Sequence, residues 1–155
     1  MGMIQLIKRM REIRLKRCVK QCGENPSVFG KIYISEGKTI SIGDNFRINE
    51  GCKVFGRMGS TIEIGNDVTL SPGVTVLASG YDINQWIDTG KKVHLKQKTI
   101  IGNHIWLCSG SIVTGGCQIT GEYVTLAAGA VLVDDIKESY CLYSGVPAKM
   151  VKKYR

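Results

Sequence analysis

A chain of 155 residues with 43% hydrophobic composition suffices for one domain with a substantial core and is short for two. Its 21 Lys and Arg against 13 Asp and Glu give a net charge of +8, but zinc-finger spacing, RNP-like aromatic motifs and basic heptad arrays are missing, so no nucleic-acid partner is expected. Neither a run of about 18 apolar residues nor an apolar leader with a small-residue cleavage site occurs, which predicts a cytoplasmic chain without a membrane span.

Residues 1–22, MGMIQLIKRMREIRLKRCVKQC, hold no Gly or Pro after Gly2 and place Met3, Leu6, Ile7, Met10, Ile13 and Cys18 near helical spacing. Lys8, Arg9, Arg11, Arg14, Lys16, Arg17 and Lys20 share the segment, so a basic amphipathic helix is predicted. Such a helix either caps an open end of the core or lies on a membrane surface. Gly23 suits a helix C-terminus and Pro26 cannot continue one. Cys18 and Cys22, four apart, would share a helix face, but no second ligand pair accompanies them and no metal site is expected. The six cysteines are expected as reduced thiols, because an aliphatic core of this size needs no staples.

From residue 28 to 136 the dominant signal is a period of six residues, the kind of short repeat that marks a β-helix. The aliphatic positions form triplets, Ile42, Ile48 and Val54, then Ile64, Leu70 and Val76, then Ile101, Leu107 and Val113, then Ile119, Leu126 and Leu132. Each triplet is predicted to be one triangular coil. The unit starting at Ile119 is one residue too long, so a local bulge is expected there. Within a unit the Gly-Asn pair after the aliphatic residue supplies a corner where positive φ is cheap. The fifth position, held by Cys52, Val68, Val74, Ile105, Ser111, Cys117 and Ala130, is also predicted to face inward, which makes Cys52 and Cys117 core fillers. Strand alternation alone also fits a β-sandwich, but recurrence of the corner in IGDN, IGND and IGNH disfavours it. The regular pattern is interrupted between residues 78 and 98 by a polar excursion that begins LASGYDI.

Five blocks, IGDNFRINEGC, IEIGNDVTLSPGVTV, TIIGNHIWLCSGSIV, AAGAVLVDDI and SGVPAKMVKK, resemble the left-handed β-helix hexapeptide-repeat acyltransferases. Within that family they are most similar to the xenobiotic, galactoside, maltose and capsule-polysaccharide O-acetyltransferases. The resemblance implies one all-β domain over residues 1–155. Its parts are the helix over 1–22, a left-handed parallel β-helix over 28–136 with an extended loop over 78–98, and a C-terminal segment over 144–155 carrying a short helix. It further implies acetyl-CoA as cosubstrate without a metal, a sugar or polysaccharide hydroxyl as acceptor, and a homotrimer with active sites between neighbouring chains.

Acetyl transfer needs a base for the acceptor hydroxyl, donors for the tetrahedral oxyanion and a groove for the pantetheine arm. The family's base histidine aligns with Tyr81, and Asp82, which follows it, would more naturally orient a base than be one. A phenol titrates near about 10 and an imidazole near about 6.5, so a tyrosine is the weaker base at neutral pH. The chain has two histidines, too few for the three-histidine zinc site of the β-helical carbonic anhydrases. His104 falls on a coil corner, whereas His94 returns from the loop and is the alternative catalytic candidate. By the resemblance, Trp106 walls the acetyl end of the cofactor groove. Ser109, Gly110, Ala127, Ala128 and Gly129 then line the pantetheine arm, and Lys149 and Lys152 meet cofactor phosphates. Cys108 is a small filler. Asn49 lies in the acceptor rung, the second asparagine of which aligns with Gly51, and Trp86 in the loop is positioned to stack on a sugar face. Two further readings stay open: a pseudoenzyme that binds cofactor or glycan without turnover, and an N-acetyltransferase of an amino sugar.

Overall fold

In the computed structural model, which describes residues 2–155, the six-residue period closes into a triangular solenoid. The first coil comprises β1 (Gln21–Cys22), β2 (Ser27–Val28) and β3 (Tyr33–Ser35), and the second β4 (Ile40–Ile42), β5 (Arg47–Ile48) and β6 (Lys53–Phe55). The third comprises β7 (Thr61–Ile64), β8 (Thr69–Leu70) and β9 (Thr75–Leu77), and the fourth β10 (Lys98–Ile101), β11 (Ile105–Leu107) and β12 (Ile112–Val113). The fifth comprises β13 (Gln118–Ile119), β14 (Val124–Leu126) and β15 (Val131–Leu132), followed by β16 (Cys141–Ser144) and β17 (Lys149–Lys153). Corresponding strands stack into three parallel sheets, β1-β4-β7-β10-β13, β2-β5-β8-β11-β14-β16-β17 and β3-β6-β9-β12-β15, with β17 alone antiparallel to its neighbour.

The register is the one the repeat predicts. Ile42, Ile64, Ile101 and Ile119 pair across the first face, Ile48, Leu70, Leu107 and Leu126 across the second, and Val54, Val76, Val113 and Leu132 across the third. All twelve side chains are buried, as are those at the fifth positions. Burying each aliphatic side chain contributes about 1.5–3 kcal/mol, while the backbone amides are satisfied by the coils above and below. The overlong unit absorbs its extra residue in the turn over 120–123, where Gly121 lies against the Glu138 carbonyl and leaves no room for a side chain.

One corner column carries the same strained backbone six times. Asn25, Asn45, Asp67, His104, Tyr123 and Tyr140 all have φ between +54° and +58°, a region that costs L residues roughly 1–2 kcal/mol each. Side-chain ladders offset that cost. Asn25 Nδ2 donates to Asn45 Oδ1 at 3.3 Å and Asn45 Nδ2 to Asp67 Oδ1 at 3.1 Å. Beyond Asp67, the His104 ring stacks on Tyr123 and Tyr123 on Tyr140, with centroids 4.5 and 5.2 Å apart. His104 is thus a rung of this ladder.

Three sequence expectations change. The first helix, α1 (Met3–Cys18), stops four residues early, and residue 1 of the predicted span lies outside the described residues. Val19 is buried and turns extended, and Gln21–Cys22 pair with Ser41–Ile42 as an additional coil that also uses Val28 and Ile34. Cys18 and Cys22 therefore share no helix face. Lys38 Nζ donates to the Arg17 and Val19 carbonyls at 2.9 and 3.0 Å, placing a cation at the helix C-terminus, where the dipole favours it. The C-terminal segment is not a helix: β17 turns back on β16, because the last parallel strand otherwise leaves an open edge, and a lysine-rich strand covers it. The excursion over 78–98 contains a helix, α2 (Ile83–Thr89), closed by Gly90 at φ +69°. No described helix is long and apolar enough to cross a membrane.

Candidate active site

The excursion leaves the prism between β9 of the third face and β10 of the first, and buried polar groups pin its base. Ser60 Oγ donates to the Leu95 carbonyl at 3.1 Å and accepts from Gln97 N at 3.0 Å. Thr99 Oγ1 donates to the Leu77 carbonyl and accepts from Gly116 N, both at 2.9 Å. Gly115 abuts the Ser79 backbone so closely that a Cβ has no space, so the Gly115-Gly116 turn of the next coil is the seat on which both arms rest. Ser60, Thr99 and Gly115 escape the sequence reading. Their signal is small polar or absent side chains at an inward corner, which repeats alone do not single out.

Above this seat the two arms form a short antiparallel ladder. Leu95 N donates to the Gly80 carbonyl at 3.0 Å and Asp82 N to the Val93 carbonyl at 2.8 Å, so Tyr81 and His94 face each other as a bridge pair. Their rings lie 4.2 Å apart between centroids at an angle of 34°, and His94 Nδ1 is 3.3 Å from Ser79 Oγ. Asp82 has a different task from orienting a base: its Oδ1 accepts from Gln85 N at 2.9 Å and caps α2. Trp86 stands on α2 with Lys92 Nζ 4.3 Å from its ring centroid, and the same ammonium lies 6.0 Å from that of Tyr81.

A second group of candidates lies on the second face and at its corner with the third. Trp106 points outward from β11 between the inward Ile105 and Leu107, is 52% exposed, and donates from Nε1 to Ser71 Oγ at 2.9 Å. Its neighbours across the strands are Thr69 on one side and Thr125, Leu142 and Lys152 on the other. Ser109, Gly110, Ala128 and Gly129 are exposed at the corner and Ala127 is half-buried. Gly110 and Gly129 have φ of +67° and +68°, and nothing stands over them, so this corner is an open strip of backbone. Asn49 begins the same corner two coils earlier, its Nδ2 donating to the Leu70 carbonyl at 2.8 Å. Cys108 is half-buried and burial pushes its thiol up, away from nucleophilic thiolate. All six cysteines are free. Lys149 pairs with Asp134 at 3.0 Å, and Lys152 Nζ lies 5.2 Å from the Tyr154 ring.

The structure thus gathers Tyr81, His94, Ser79, Asp82 and Trp86 at the corner between the third and first faces. It gathers Trp106, Asn49, the corner strip and Lys152 around the second face, on the opposite side of the triangular section. One chain does not bring the two groups together.

No protein-family model matches the chain. Galactoside O-acetyltransferase of Escherichia coli K12 is 28% identical over 143 residues, covering 92% of this chain and 68% of that protein. Among solved structures, a galactoside acetyltransferase in complex with coenzyme A superposes with a TM-score of 0.84 at 26% identity over 95% of this chain and 71% of that one. A maltose O-acetyltransferase from Clostridium difficile 630 gives 0.82 at 28% identity over 95% and 76%. The chain shares the fold and the sequence pattern of the hexapeptide-repeat acetyltransferases. The matched stretch spans between 49% and 68% of the length of the curated relatives.

Proposed function

We propose that the chain transfers the acetyl group of acetyl-CoA to a hydroxyl of a sugar or polysaccharide, with His94 as general base. The observation that carries this reading is the placement of His94 against Tyr81, the position that the resemblance assigns to the base. On this reading the imidazole comes from the returning arm of the loop, and the pairing of the two arms sets it beside the position that the resemblance gives to the base on the outgoing arm. When His94 Nδ1–H donates to Ser79 Oγ, Nε2 is left with the lone pair a base needs. Nε2 takes the proton of the acceptor hydroxyl as that oxygen attacks the thioester carbonyl. Collapse of the tetrahedral oxyanion forms the ester and expels the CoA thiolate, which receives the proton back from His94. Tyr81 supports the imidazole by stacking, Asp82 fixes the start of α2, and Trp86 offers a ring face to the sugar.

The cofactor side of this proposal rests on the second face. Trp106 and Lys152 belong to one row three strand spacings apart, roughly 14 Å, with the backbone strip beside them. That separation suits a thioester at Trp106 and phosphates at Lys152, while Lys149 is partly neutralised by Asp134. Because the loop and this face lie on opposite sides of the prism, we assign each site to two chains, loop from one and face from its neighbour, in a closed homotrimer.

The test is mass-spectrometric detection of acetylated product from acetyl-CoA and a panel of hexoses and amino sugars. A hydroxylamine-labile ester is expected. In His94→Ala the turnover number is expected to fall about 100- to 10,000-fold with the KM for acetyl-CoA unchanged. A hydroxylamine-resistant amide formed only on amino sugars moves the activity to N-acetylation, and a wild-type rate in His94→Ala removes His94 as the base.

A further inference from the structure

We propose that α1 docks the chain on an anionic phospholipid surface. The helix packs over the first coil with Leu15 buried and Lys8, Arg11, Glu12 and Cys18 half-buried, so one side of it is accounted for by the prism. The opposite side carries Met3, Leu6, Ile7, Met10 and Ile13, a stripe about 120° wide at 3.6 residues per turn. These five residues are 40–76% exposed. Clusters of this kind are rare on a soluble surface without a partner.

Charge decides which partner. The first 20 residues hold seven basic side chains and one acidic, most of the net charge of the whole chain. Among the described residues, no carboxylate lies within ion-pair distance of Arg9, Arg14 or Arg17. By helical spacing these three guanidiniums flank the stripe or stand within it, where long side chains reach headgroups while their stems stay in the apolar layer. Beside the helix, Arg11 and Lys31, with Arg14 at the edge of the stripe, border a cavity of about 330 Å³ also lined by Val28, Ile32 and Ile34, so two further cations stand next to an apolar hollow. A second copy of α1 against this stripe would set like charge against like with no carboxylates to relieve it. An anionic bilayer satisfies both the apolar stripe and the cations.

The experiment is co-sedimentation of the full chain with vesicles of phosphatidylcholine, alone or mixed with phosphatidylglycerol, at low and high salt. Binding to the anionic vesicles is expected to exceed that to the neutral ones by about a hundredfold, and to weaken as salt screens the surface. The double substitution Leu6→Glu and Met10→Glu is expected to abolish binding. The triple substitution Arg9→Gln, Arg14→Gln and Arg17→Gln is expected to weaken it about a hundredfold. Neither variant should alter circular dichroism, oligomeric state or acetyl transfer. Absence of vesicle binding by the wild type overturns the proposal, as does binding that both variants retain. A change of oligomeric state in the Glu variant, without vesicle binding by the wild type, assigns the stripe to a second copy instead.

Discussion

His94 and Tyr81 show how a single position can mislead. By the alignment that the resemblance implies, a phenol stands in the base's place; folded, the imidazole of His94 lies against it, with ring centroids 4.2 Å apart. The exchange was only half legible, because His94 can be identified as a candidate from the scarcity of histidines, but no pattern reveals which residue of the returning arm pairs with Tyr81. Ser111 offers a cleaner residue-scale test. It is fully buried at a fifth position, and its Oγ has no hydrogen-bond partner. An unpaired buried hydroxyl costs about 1–3 kcal/mol, and a methyl group fits the same space, so Ser111→Ala is expected to raise stability by about 1 kcal/mol in urea denaturation. A loss of stability means that the hydroxyl is satisfied in solution.

At the scale of elements, the coils were written plainly in the sequence, because a buried triplet every turn leaves a six-residue aliphatic signature that nothing else in a soluble chain produces. The first coil escaped for a physical reason: Cys22 stands where other coils carry isoleucine, and the basic helix runs up to it without a breaker until Gly23. The C-terminal strand was equally opaque, since KMVKK has no strong preference and takes its conformation from the open edge of β16. The loop's position was legible, but not its internal helix or its seat. That seat yields a prediction. In Gly115→Ala the new Cβ meets the Ser79 backbone, which displaces the arm that carries Ser79 and Tyr81. A misplacement of about 1 Å is worth on the order of 100-fold in rate, so turnover is expected to drop by that amount while thermal unfolding remains cooperative. Wild-type turnover would mean that the arm's seat does not position the reacting groups.

For the whole molecule, the triangular section is what matters. A solenoid separates side chains on different faces permanently, because no hinge joins them. In the proposed site, the loop carrying His94 and the face assigned to the cofactor would therefore meet only when another chain supplies one of them. The same section places α1 at one end, clear of the loop, so lipid binding and acetyl transfer are expected to be independently removable. The most direct test of the shared site is complementation between two inactive chains, His94→Ala and Trp106→Ala, co-expressed with different tags and purified as mixed oligomers. Every mixed trimer, whether 2:1 or 1:2, pairs an intact loop with an intact neighbouring face at one site of its three, so the purified mixed oligomers are expected to recover about a third of the wild-type rate. Mixed oligomers that form yet stay at the rate of the single variants would contradict a site built from two chains.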